Sequence, residues 1–88
     1  MKEILWDKQK AKLLGEKPER EISFERCVVA IENGDVLDII KNLARDGQYI
    51  FILEIDNYAY VVPYVEDEKA IYFKTVFPSR RYTKKYLR

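Results

Sequence analysis

Residues 49–65, "YIFILEI" then Asp56-Asn57 then "YAYVVPYV", constrain this chain more than any other stretch. Two apolar runs of strand length flank a pair of residues that tolerate positive φ, which is the signature of a β-hairpin closed by a two-residue turn. Two further β-rich runs bracket the hairpin, "VLDIIK" (36–41) before it and "AIYFKTVF" (70–77) after it. "EDEK" (66–69) provides a slightly longer turn and "NLARDGQ" (42–48) a looser link, so the last three runs are expected to form an antiparallel meander. The runs at 49–55 and 70–77 are almost continuously apolar, which predicts cover on both faces: helices on one, and something else, such as a partner, on the other. That second face is also the expected route of self-association into a homodimer. Pro63 has no N–H to give to a ladder, so a bulge is expected there.

The helical signals lie at the two ends. Asp7 can cap a first helix running to about Leu14, with Gly15 in the left-handed position that ends it, followed by the charged connection "EKPER" (16–20). Ser23 is the natural N-cap of a second helix, with Ile22 and Cys27 as its hydrophobic staple. Phe24, Cys27, Val28 and Ile31 share one face of that helix, and Asn33-Gly34 stops it. After Pro78, Ser79 can cap a short basic helix in which Tyr82 and Tyr86 stack at i,i+4 and Arg81, Lys85 and Arg88 line up along one side. The expected architecture is α+β in a single domain over residues 1–88: two N-terminal helices, a four-stranded, mainly antiparallel meander sheet and a short basic C-terminal helix.

Composition narrows the chemistry. The chain holds no histidine and one cysteine, Cys27, which excludes a typical zinc site, a histidine-based triad and an internal disulfide. No cofactor or metal is expected. The uncharged run at residues 58–65 is far short of the roughly 20 apolar residues that span a bilayer, and the N-terminus lacks a secretory pattern, which makes the cytoplasm the default location. Five of the 16 Lys and Arg lie after Phe77 and no acid does, leaving 11 cations against all 15 Asp and Glu in the residues before. A body of net charge −4 thus ends in a tail of +5, and such a tail invites a polyanion. A basic helix with tyrosines is a reasonable RNA surface, since Arg and Lys meet phosphates and tyrosine rings stack on bases. Cations that merely complement a helix dipole, and tyrosines that merely pack a strand, would leave the same pattern.

"WD" at 6–7, "ISFE" at 22–25, "AIENG" at 30–34 and "PSRRYTKKY" at 78–86 together resemble the BrnT family, toxins of bacterial and archaeal type II toxin–antitoxin systems. The resemblance implies a RelE-like ribonuclease fold, RNA cleavage that stops translation, and a ribbon-helix-helix antitoxin as partner. Arg80, Arg81 and Thr83 fall on the family's Arg-Arg-x-Thr, with Pro78 and Ser79 replacing its Ser-Ala. Ser23, Phe24 and Glu25 match at the second helix, whereas Arg20 and Glu21 stand where the family has histidine and glycine.

RNA can be cut without metal by its own 2′-hydroxyl, given proton transfer, in-line positioning and stabilisation of the charge that develops on the phosphorus oxygens. Arg80 and Arg81 are the candidates to hold that phosphate, because a guanidinium fork matches its oxygens, with Lys84 one turn on in support. Tyr82 or Tyr86, among cations that would lower its pKa, and Lys74, which interrupts an apolar strand, are the candidates to move the proton. Thr83, Lys85, Tyr86, Arg88 and Arg20 complete the expected RNA contacts. With the family histidine replaced, the alternative is a module of the same fold that binds RNA or its antitoxin without cutting.

Overall fold

A computed structural model describes residues 2–7 and 22–87. The expected first helix falls outside the described residues, apart from its capping Asp7. The chain opens instead with strand β1 (Glu3–Trp6), continues through helix α1 (Phe24–Glu32), strands β2 (Val36–Lys41), β3 (Tyr49–Ile55), β4 (Tyr58–Glu66), β5 (Ala70–Phe73) and β6 (Phe77–Pro78), and closes with helix α2 (Arg80–Leu87). The strands form one six-stranded sheet in the order β1-β5-β4-β3-β2, with β6 pairing to β4 beyond β5. Because β1 runs parallel to β5 and all other pairs are antiparallel, the sheet is mixed. This corrects the RelE-like expectation of two N-terminal helices and a four-stranded antiparallel meander. Four residues, "EILW", show too little periodicity to announce a strand, and their partner lies far along the chain.

Local chemistry explains the elements that match. Asp56 and Asn57 both take positive φ, 53° and 65°, closing β3 onto β4 in a primed two-residue turn. The Ser23 hydroxyl accepts from the Arg26 N–H at 3.2 Å and starts α1. Gly34, at φ 82°, ends it: the Gly34 and Asp35 N–H groups reach back to the carbonyls of Ile31 and Ala30, at 3.1 and 2.8 Å.

The run at 70–77 is broken by Pro63 from across the ladder. Ile50 and Pro63 pair in unbroken register, so β3 carries no bulge at this point. From Tyr64↔Phe73 to Val61↔Phe77 the chain advances three residues on β4 but four on its partner, which places the extra residue between β5 and β6. The Pro63 carbonyl accepts from the Lys74 N–H at 2.9 Å on that side, and the proline nitrogen, which cannot donate, faces the same gap. The irregularity is therefore opposite the proline rather than on its own strand. A second register shift, between Val36 and Asp38, bends edge strand β2, where the Asp38 carboxylate accepts from the Ile39 N–H at 2.8 Å.

Each face of the β3–β4 hairpin is buried beneath a different helix. On one face Phe24, Cys27 and Ala30 of α1 meet Phe51, Leu53, Tyr60, Val62 and Phe73, with Trp6 of β1 at the margin, 5.5 Å from the Phe24 ring. On the other, Ile52, Ala59 and Val61 are covered by Tyr82 and Tyr86 of α2. The face expected to await a partner is thus covered by the chain's own C-terminal helix. No helix among the described residues is long and apolar enough to cross a membrane.

Cys27 is fully buried against the α1 side of the sheet, and burial pushes its thiol up to about 12. Only the thiolate attacks disulfide or alkylating reagents. Cys27 is expected to stay unmodified by a thiol reagent in the native protein and to react fully in denaturant; comparable rates in both states would contradict its place in the core.

Candidate nucleic-acid interface

The polarity of α2 follows from its sequence. In "RRYTKKYL" the helical repeat turns Tyr82, Thr83 and Tyr86 toward the sheet and leaves Arg80, Arg81, Lys84 and Lys85 exposed. Among the described residues none of these four cations forms a salt bridge; the ion pairs found are Lys2–Glu66 and Arg26–Asp56. The Arg81 guanidinium lies 5.6 Å from the centre of the Tyr82 ring and the Lys85 ammonium 5.3 Å from that of Tyr86. Four cations on one outward face, none in a salt bridge among the described residues, make an anion surface. Their backing is rigid.

That rigidity comes from the junction between β6 and α2. The Ser79 N–H donates to the Ala59 carbonyl at 2.9 Å, and the Ser79 hydroxyl accepts from the Tyr82 N–H at 3.2 Å, capping the helix. Thr83, expected at the RNA contact, is buried at 6% exposure. Its hydroxyl donates to the Ser79 carbonyl at 2.7 Å and accepts from the Ala59 N–H at 2.9 Å. Ala59 lies just past the end of β6, where β4 would otherwise present an unpaired donor inside the protein, and the threonine replaces the missing strand. The hydroxyl of Thr83 is fully engaged within the fold.

The tyrosines are held too. Tyr82 and Tyr86 stack on each other at 6.1 Å over Ile52 and Val61, and the Tyr86 hydroxyl donates to the Asp38 carboxylate on β2 at 2.6 Å. This hydrogen bond raises the phenol of Tyr86 above its ordinary range and lowers the carboxyl of Asp38. The shift at Tyr86 is opposite to the lowering expected from its cationic neighbours, because the hydrogen bond to Asp38, with partial burial, outweighs them. Asp38 had a visible signal, an acid inside the apolar run "VLDIIK", but its partner lies in another element.

Lys74 stands apart from the group on α2. It is exposed, and its N–H is bonded opposite Pro63, whereas Ser79 is bonded opposite Ala59. Four residues along β4 separate the two points by about 13 Å. From Ser79 the helix then leads away from β5 and over β3, bringing Tyr86 to Asp38 on β2. The structure therefore brings together Arg80, Arg81, Lys84, Lys85 and the two tyrosines, and leaves Lys74 beside a different cleft. Arg20 and Arg88 lie outside the described residues.

Replacing Thr83 by Val keeps the shape but strands the buried Ala59 N–H, so stability should fall by about 1–3 kcal/mol in urea unfolding; an unchanged midpoint would refute the anchoring role. Tyr86→Phe should reveal the Asp38 bond through pH. The lowered carboxyl stabilises the fold above the ordinary range of Asp, about 4, and that contribution is lost as pH falls through its folded value. The difference in urea midpoint between wild type and variant should accordingly be full near neutrality and shrink in acid; a constant difference would mean that the bond does not act through the carboxylate.

Compared with known proteins, the chain matches no protein-family model, no curated protein and no solved structure.

Proposed function

We propose that this protein is the toxin of a BrnT-like toxin–antitoxin pair, acting on RNA through the exposed face of α2. The observation that carries the reading is the position of Arg80 and Arg81. They occupy the first turn of a helix that has no acidic residue there, where the helix dipole favours anions and disfavours cations. The arrangement is unfavourable for an isolated helix by about 0.3–1 kcal/mol per charge and becomes favourable once a phosphate sits between the two guanidinium groups and the positive end of the helix. Lys84 and Lys85 extend the same charge along the strand of RNA.

In this reading the guanidinium groups of Arg80 and Arg81 hold the scissile phosphate and stabilise the charge that gathers on its oxygens as the 2′-hydroxyl attacks, and no metal takes part. The antitoxin, of the ribbon-helix-helix type, covers the same face with acidic side chains. One observation favours the second reading, a module that binds without cutting. Tyr86, a candidate proton carrier, is held as a neutral donor by Asp38, and its raised phenol is a poor base near neutrality.

Induced expression in bacteria separates the two. Growth arrest with new RNA ends, both lost in Arg80→Ala/Arg81→Ala, is expected of the toxin; RNA binding by folded protein without new ends would establish the second reading. Binding to single-stranded RNA should weaken with salt with a logarithmic slope of about −2 for three neutralised phosphates, falling to about −1.4 in the double variant. A salt-independent affinity would remove α2 from the interface.

A further inference from the structure

A second cleft, of about 350 Å³, lies between the β2–β3 connection and the β5–β6 bulge and is lined by Asn42, Arg45, Gln48, Pro63, Lys74 and Thr75. The connection is folded around Asn42. Its N–H donates to the Gln48 carbonyl at 3.0 Å, its carbonyl accepts from the Arg45 N–H at 3.2 Å, and its side-chain oxygen accepts from the Ala44 N–H at 3.1 Å. The Asn42 side-chain amide then donates to the side-chain oxygen of Gln48 at 3.2 Å. With that oxygen occupied, the Gln48 side chain has its two N–H donors left to offer.

Opposite stands Lys74, its backbone fixed by the bond to the Pro63 carbonyl. Arg45 and Lys74 are both exposed, and among the described residues neither forms a salt bridge. Two cations, amide donors and no lining carboxylate select an anion with several acceptor oxygens, and the volume suits a nucleotide-sized group. By strand alternation Pro63 shares the face of β4 that carries Ala59 and Val61, on which α2 packs. The cleft and the helix thus border the same side of the sheet, with the start of the helix, opposite Ala59, about 13 Å along β4 from Pro63.

We infer that this cleft is a second phosphate subsite, in which Arg45, Lys74 and Gln48 hold a backbone phosphate of the RNA strand that crosses α2. The inference rests on the RNA reading for the source of the phosphate, since a free nucleotide would offer the same chemistry. It gives Lys74 a binding role in place of a catalytic one. It also makes affinity depend on RNA length, because only a strand long enough to reach both places engages all the cations.

The test uses the full chain and Arg45→Ala/Lys74→Ala, a variant confined to exposed side chains, with its thermal unfolding compared to wild type. Fluorescence anisotropy with RNAs of roughly four and roughly twelve nucleotides reads the length dependence. The longer RNA should lose about tenfold in affinity and its salt slope should become shallower by about 0.7 for the one phosphate lost, while the shorter RNA changes little. In parallel, wild-type protein titrated with adenosine monophosphate should show NMR shifts at the side-chain amides of Asn42 and Gln48, and in Gln48→Glu, whose own side chain has no amide, the shift at Asn42 should be lost. Unchanged binding of the longer RNA would overturn the subsite while leaving the α2 reading intact. Amide shifts with the mononucleotide in a protein that binds no RNA would overturn the RNA source, and with it the proposed function, leaving a free-nucleotide site.

Discussion

The β3–β4 hairpin is apolar on both sides, and the rest of the molecule is arranged to cover it. Ile52, Leu53 and Val62 are fully buried, and each burial is worth about 1.5–3 kcal/mol only if an element lies over that face. Alternation sends Leu53 and Val62 toward α1 and Ile52 toward α2, so neither helix is dispensable to the sheet. In-plane, β4 is also the central partner: β3 runs along one edge, and β5 and β6 share the other. A C-terminal basic tail, which could have been a solvated appendage, is consequently a core element.

This dual duty resolves within two helical turns. Tyr82, Thr83 and Tyr86 face in and Arg80, Arg81, Lys84 and Lys85 face out, so the residues that carry stability and those that carry charge are disjoint. The direction of the helix is set at Ala59, whose carbonyl takes the Ser79 N–H and whose N–H is taken by the Thr83 hydroxyl. These bonds continue the ladder of β4 past the last residue of β6, and the position of both arginines follows from them. A substitution at Thr83 would therefore disturb an anion surface that the threonine itself never touches.

The legible parts of the fold were those coded by neighbours in sequence. β2 and β3 coincide with their apolar runs, Asp56-Asn57 closes the hairpin, and Ser23 and Ser79 cap their helices, because each signal lies within four residues of its effect. What could not be read was decided at long range. β1 exists because four residues near the start find β5 through parallel pairing, and the run at 70–77 is split by a proline on another strand. Thr83 looked like an RNA contact because nothing near it in sequence mentions the Ala59 N–H, 24 residues away. The outward arginines and lysines were legible, since helical spacing alone separates them from the tyrosines. The separation of Lys74 from them was not, since it depends on the direction in which α2 leaves β6.

The bond between Tyr86 and Asp38 bears most directly on chemistry. A phenol in contact with a carboxylate at 2.6 Å is stabilised as the neutral donor, and an ionised Tyr86 would set two anions side by side. Tyr86 thus serves as a tether between α2 and the edge of the sheet, closing the side opposite Ala59. Held at both ends, the helix itself need not be ordered on binding, so the entropy lost on meeting a phosphate is confined to its exposed lysine and arginine side chains. In a chain with no histidine, the proposed cleavage would have to rest on that charge, acting on the developing oxyanion rather than on the proton, and the same charge would serve equally a module that binds without cutting.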